Sequence, residues 1–194
     1  SIEKLKHFVS KEAFNIDGFG KKIVENFWKL NLIKFPQDIF KLDYDKIEKL
    51  EGWGKLSVEN LKYSINEKKQ IPLERFIYAL GIRHIGLENA KLISKHFVSF
   101  LKFKNLSKNN NYKDLLNIDG IGDTQVNSIK NFFSNKININ ILNELGKVLI
   151  IKSAIVENKN GLLKNQTFLV TGKLIGISRA EIKSLIEENS GTTV

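Results

Sequence analysis

The strongest constraint on what this chain can fold into is a pattern that returns four times along it. The copies read Ile16-Asp17-Gly18-Phe19-Gly20, Leu50-Glu51-Gly52-Trp53-Gly54, Ile82-Arg83-His84-Ile85-Gly86 and Ile118-Asp119-Gly120-Ile121-Gly122. Their closing glycines lie 34, 32 and 36 residues apart. A near-constant period of this size marks one supersecondary unit used repeatedly. Apolar spacing before each copy, as at Ile47 and Leu50, predicts a short helix. A second amphipathic helix is predicted after it, with Ile23, Val24 and Phe27, or Val58 and Leu61, on its apolar face. Glycine between two such segments makes a tight bend, because it reaches positive φ at little cost and leaves the backbone bare. The middle apolar residue (Phe19, Trp53, Ile85, Ile121) is expected to pin the bend onto the helices. The chain is therefore expected to be mainly α, with four helical hairpins arranged as two pairs, each pair able to straddle a groove.

Bare N–H groups at the start of a helix form a ready anion site. The candidate contacts are Gly18, Gly20, Lys21, Lys22, Gly52, Gly54, Lys55, Arg83, His84, Gly86, Gly120 and Gly122. Charge agrees with a phosphate-bearing partner: the net value is +10, and all but one unit of it lies before residue 161. Since 28 of the 31 basic residues are Lys in a chain rich in Asn and Ile, A+T-rich coding accounts for the charge equally well. The repeat, not the charge, favours nucleic acid.

The copies are not equivalent. In the third, His84 stands where the others have their first glycine, so its turn is expected to differ in detail, with Gly81 supplying freedom. In the fourth, Asp123 and Thr124 follow the bend; either is suited to cap the next helix, and the carboxylate makes this copy the weakest expected phosphate binder. Lys102–Lys113 reads as a polar loop, and the stretch from Asn135 through Leu145 to Gly146 as a helix.

The last part has a different character. Residues 153–164 read as a linker, and 165–194 as the front of an α/β domain. Thr167–Gly172 predicts a buried strand, and Ser178 with Glu181 a capped helix start. That helix carries Ile182, Leu185 and Ile186 on its apolar stripe, and Gly191–Val194 predicts the opening of a second strand. One helix and so few strand residues cannot close a core. This, together with the lack of Met, gives the expectation of a piece of a longer chain.

Five stretches together resemble bacterial NAD-dependent DNA ligases: Leu5–Phe8, Ile16–Gly20, Leu50–Gly54, Phe76–Gly86 and Phe168–Gly172. The most specific is Tyr78-Ala79-Leu80-Gly81-Ile82-Arg83-His84-Ile85-Gly86. The resemblance covers the whole chain and implies the end of a zinc-finger junction, four helix-hairpin-helix motifs over 1–152, and the truncated beginning of a BRCT-like domain over 165–194. It further implies sequence-nonspecific binding of duplex or nicked DNA from the minor-groove side, through backbone phosphates, in replication and repair. Thr171 and Gly172 match the phosphate-pocket end of the first BRCT strand, a pocket incomplete here because its later basic residue falls past Val194. Enzymes of this family adenylate a lysine from NAD, pass AMP to a 5′-phosphate and let a 3′-hydroxyl attack. That lysine, the oligomer-binding fold and the zinc-ligating cysteines are expected upstream, so NAD, magnesium and zinc belong to the parent and no cofactor to these residues. The implied setting is a monomer in the bacterial cytoplasm, joined to upstream ligase domains.

Other function classes fit these residues less well. A repair nuclease or junction-binding protein shares paired hairpins, but not four of them followed by this tail. A protein-recruiting scaffold remains open. A self-contained enzyme lacks support: there is no Ser/His/Asp set, no clustered carboxylates and no Walker sequence, Val170-Thr171-Gly172-Lys173 having the wrong glycine spacing. Without cysteine, Cys-based zinc and disulfides are excluded, and no apolar run approaches the roughly 20 residues that span a bilayer.

Overall fold

The computed structural model describes residues 1–155, 161–172, 182, 185–187 and 189–194. They divide into two compact units, Ser1–Ser153 and Ala154–Val194.

The first unit is mainly helical. Its helices are α1 (Ile2–Phe8), α2 (Lys21–Lys29), α3 (Tyr44–Glu48), α4 (Lys55–Glu67), α5 (Leu73–Ala79), α6 (Leu87–Phe97), α7 (Phe100–Lys104), α8 (Leu106–Asn109), α9 (Asp123–Ser134) and α10 (Lys136–Val148). Two 3-10 segments, Pro36–Lys41 and Tyr112–Asn117, complete it. The longer helices bury the faces that helical spacing predicts: Val24 and Phe27 on α2, Val58, Leu61 and Ile65 on α4, Ala90 and Ile93 on α6, Val126 and Ile129 on α9. Burying a side chain of this kind contributes about 1.5–3 kcal/mol, so these faces set the helix positions. The helix expected from Asn135 to Gly146 is present as α10, whose first turn is capped by the Asn135 side chain accepting from the Ile137 amide at 2.9 Å.

Two expectations about elements are corrected. The Lys102–Lys113 stretch is not a loop, since it carries most of α7, all of α8 and the start of a 3-10 segment. Its apolar minority decides the outcome: Phe103, Leu106 and Tyr112 are buried, and Phe103 stacks edge-on against Phe97 and Phe133 at 5.8 and 5.2 Å. The helix expected before every bend is 3-10 rather than α in the fourth copy (Tyr112–Asn117), and in the first copy it is α1, set apart from the bend by hydrogen-bonded turns over residues 10–15.

A short parallel pair joins distant parts of this unit. β1 (Gln70–Pro72) lies beside β2 (Ile150–Lys152), with Ile71 opposite Ile151. Side chains add further ties: Arg75 donates to the Ala13 and Lys11 carbonyls at 2.9 and 2.7 Å, and the His7 ring meets the Tyr78 carbonyl at 2.7 Å. Arg75 and Tyr78 belong to α5, which is thereby fixed to the segment entering the first bend.

In the second unit, β3 (Thr167–Phe168) and β4 (Thr192–Thr193) pair in parallel, Thr167 opposite Thr192. The predicted strand Thr167–Gly172 is therefore cut to two residues, and it is not buried: Thr167 is exposed and Leu169 is 69% exposed. Among the described residues its one strand partner is the two-residue β4. Residues 161–164, read as the end of a linker, are bonded into this unit, Leu163 N–H to Asn189 C=O at 2.9 Å and Gly161 N–H to the Ser190 hydroxyl at 3.0 Å. Ile182 and 185–187 are helical, with Ile186 buried but Leu185 half exposed. The predicted cap, Ser178 and Glu181, lies outside the described residues.

Candidate nucleic-acid interface

The four bends share one backbone plan. In each, the residue before the closing glycine donates its amide three residues back: Phe19 to Ile16 at 3.1 Å, Trp53 to Leu50 at 3.1 Å, Ile85 to Ile82 at 3.1 Å and Ile121 to Ile118 at 3.0 Å. The residue ahead of that donor has positive φ: Gly18 at 71°, Gly52 at 80°, His84 at 61° and Gly120 at 92°. The closing glycine is extended and serves as the N-cap of α2, α4, α6 or α9. Phe19, Ile85 and Ile121 are buried, while Trp53 is half-buried.

His84 thus corrects an expectation. Its turn does not differ; the histidine itself takes the left-handed conformation that glycine takes elsewhere. Its carbonyl accepts from the Asn89 side chain at 3.2 Å, which helps hold it there. Gly81 is also left-handed, at φ 62°, one helix end earlier, beside the His7 ring.

All twelve predicted contact residues are solvent-exposed. A Cβ built on Gly20, Gly54 or Gly86 meets nothing within 4 Å, so another chain can approach the backbone closely. The four closing glycines nevertheless present their amides differently. Among the described residues, no partner takes the amides of Gly20 and Gly86. Gly54 N–H donates to the Ser57 hydroxyl at 2.9 Å, and that hydroxyl donates back to the Gly54 carbonyl at 2.9 Å. Gly122 N–H donates to Gln125 Oε1 at 3.1 Å. Glycine occupies the cap in the fourth copy, so neither Asp123 nor Thr124 caps α9, and Gln125 supplies the side-chain bond instead.

Charge is unevenly shared. Lys21, Lys22, Lys55 and Arg83 make no ion pair among the described residues. Glu25, on the same helix as the first two, is taken by Lys6 at 2.7 Å. Bonding to Glu25, and next to Glu3, raises the Lys6 ammonium, and the same Lys6 bond lowers the Glu25 carboxyl. The second position of the bend is acidic in copies one, two and four (Asp17, Glu51, Asp119) and cationic only in the third (Arg83). Fixed charge therefore favours an anion least at the fourth bend, where Asp119 and Asp123 flank the glycines.

The first two bends are brought together. Phe19 meets Phe27 at 5.6 Å, and Phe27 meets Trp53 at 5.6 Å. Between the bends lies a cleft of about 480 Å³, lined by Asp17, Gly18, Gly52 and Trp53 and by Ser57, Asn60 and Ser64 along α4. The third and fourth bends are also linked, since Leu92 of α6 sits 3.1 Å from a Cβ built on Gly120. Sequence reasoning missed the polar cleft residues of α4, Ser57, Asn60 and Ser64, and the amide partner Gln125. The spacing of Ser57, Asn60 and Ser64 puts polar groups on one helical face, but nothing in the sequence says which surface that face meets. Thr171 and Gly172 are exposed, in the second unit. Among the described residues, no three His, Cys, Asp or Glu side chains come together to hold a metal, and no helix is long and apolar enough to cross a membrane.

Comparison with known proteins bears on these bends. The helix-hairpin-helix motif family matches residues 75–142, which contain the third and fourth copies. Over all 194 residues the chain is 67% identical to the DNA ligase of Pelagibacter ubique, covering 29% of that protein. It is 43% identical over 200 aligned positions to the DNA ligase of Rickettsia canadensis (97% of this chain, 29% of the relative). It is 44% identical over 190 to that of Wolbachia pipientis wMel (94% and 28%). The chain thus spans under a third of the length of the relatives it matches.

Proposed function

We propose, for a chain that is related along its whole length to a segment of bacterial DNA ligases, that it grips duplex DNA for a ligase by its sugar–phosphate backbone. The carrying observation is the repeated bend: four exposed turns of one backbone plan, each opening a helix, with the closing-glycine amides of the first and third taken by no partner among the described residues. Amides at a helix start bind phosphate oxygens, and the helix dipole adds to the attraction. Lys21, Lys22, Lys55 and Arg83 make no ion pair among the described residues and supply cationic charge beside them. By its charges, the fourth bend contributes least.

In this reading all four copies are helix-hairpin-helix units acting as two pairs over residues 1–152, and the tail is the start of a BRCT-like domain. Phosphate contacts carry no sequence information, so binding is indifferent to sequence. The chain clamps DNA while the ligase acts in replication and repair, and does no sealing by itself. NAD, magnesium and zinc are bound by other parts of the protein.

Four such turns neutralise about 4–7 phosphates, giving a log–log salt slope of roughly −4 to −6. A titration of duplex affinity against salt measures this, and a flat response rejects the proposal. Competition between duplexes of unlike sequence gives near-equal affinities; a hundredfold preference contradicts a backbone grip.

A further inference from the structure

The cleft between the first two bends is unexplained by a backbone grip. Among the described residues its lining holds one charged side chain, Asp17, an acid, so a phosphate is the wrong occupant. Its walls are Trp53 and the apolar Ile23 and Leu61, while Asn60 and Ser64 offer side-chain donors and acceptors that bond to nothing else among the described residues. At about 480 Å³ it falls in the size range of small-molecule sites. Flat aromatic and aliphatic walls with a few polar groups, and a carboxylate able to accept from an amino group, fit a neutral heterocycle with a hydrogen-bonding edge.

Resting on the DNA-binding reading, we infer that this cleft receives a nucleobase unstacked from the duplex whose phosphates the flanking bends hold. Position supports this occupant, because the cleft opens between Gly18 and Gly52, two residues of the proposed phosphate grip. Pulling a base from the stack costs least where it is already unpaired. The pocket therefore selects bulged or mismatched positions over regular duplex.

The test uses the 194-residue chain and two duplexes. One is fully paired and contains a 2-aminopurine; the other carries the same base as a single-nucleotide bulge. Base stacking on an aromatic wall gives the bulged duplex an advantage of about tenfold, with a change in 2-aminopurine emission on binding. Asn60→Phe, which fills the cleft from an exposed position on α4, brings the affinity ratio to one, and Ser64→Phe repeats the test one helical turn along. Equal affinities for the two duplexes, or an advantage that survives both substitutions, overturn the pocket and leave the phosphate grip standing. Failure of either duplex to bind at all overturns the grip and the pocket with it.

Discussion

Gly20 and Gly54 have φ of −83° and −153°, values open to any residue, and empty space where a side chain would begin. Valine at both positions costs the fold only about 1 kcal/mol each as a poorer cap. The double variant is expected to remain helical by circular dichroism. Its duplex affinity should fall about tenfold or more as crowded amides lose their phosphates. Unchanged affinity in the folded protein would remove these glycines from the interface. His84 presents the reverse case. A left-handed L-residue costs about 1–2 kcal/mol, against about 0.5–1 kcal/mol for the extra freedom of glycine in the unfolded chain. His84→Gly is therefore expected to raise the thermal midpoint by about 2–4 °C, while the loss of the proposed contact weakens duplex binding. Calorimetry and the binding titration read the two effects separately.

At the level of elements, α5 is held by Arg75 reaching back to the carbonyls of Ala13 and Lys11. Hydrogen bonds from a charged donor contribute about 1.5–3 kcal/mol. Arg75→Ala should lower the thermal midpoint by about 4–8 °C, and a drop of under a degree would show that the tie is idle. How visible each element was in the sequence follows from how local its cause is. The bends were legible because positive φ is a demand that glycine advertises. His84 hid the same geometry, since histidine adopts it only when neighbours such as Asn89 hold it. α2, α4, α6, α9 and α10 were legible from apolar spacing over 9–13 residues. The α7–α8 stretch was not, because its Lys and Asn content outweighs the few buried anchors, Phe103 and Leu106, that decide its structure. β1 and β2 are three residues each and pair across some eighty residues of chain, so no local pattern announces them. Of the site, the exposed turns could be read in advance. The cleft could not, because it exists only where α4 and two bends 34 residues apart converge.

For the first unit as a whole, stability depends on joining residues far apart in sequence. Lys41 and Glu144 are bonded at 2.8 Å, and Lys147 binds the same carboxylate at 2.7 Å. The bonds from Lys147 and Lys41 hold the Glu144 carboxyl at about 2, against its ordinary 4.5. A carboxylate lowered on folding contributes stability that is complete above the unfolded value and is lost as pH falls through the folded one. The window runs from about pH 4.5 down to about 2. Urea unfolding in steps across it should show an acid-side decline that Glu144→Gln makes shallower; identical profiles would mean that the bridge is screened away by solvent.

The β1–β2 pairing has a consequence in time. Ile71 must wait for Ile151, roughly eighty residues later, before its strand has a neighbour. During synthesis, the early hairpins emerge and pack locally while this seam stays open. Contacts of such long separation slow the search for the native arrangement. The seam is therefore expected to close late, after α10 has been made, and until then Gln70–Pro72 is a bare edge in need of cover.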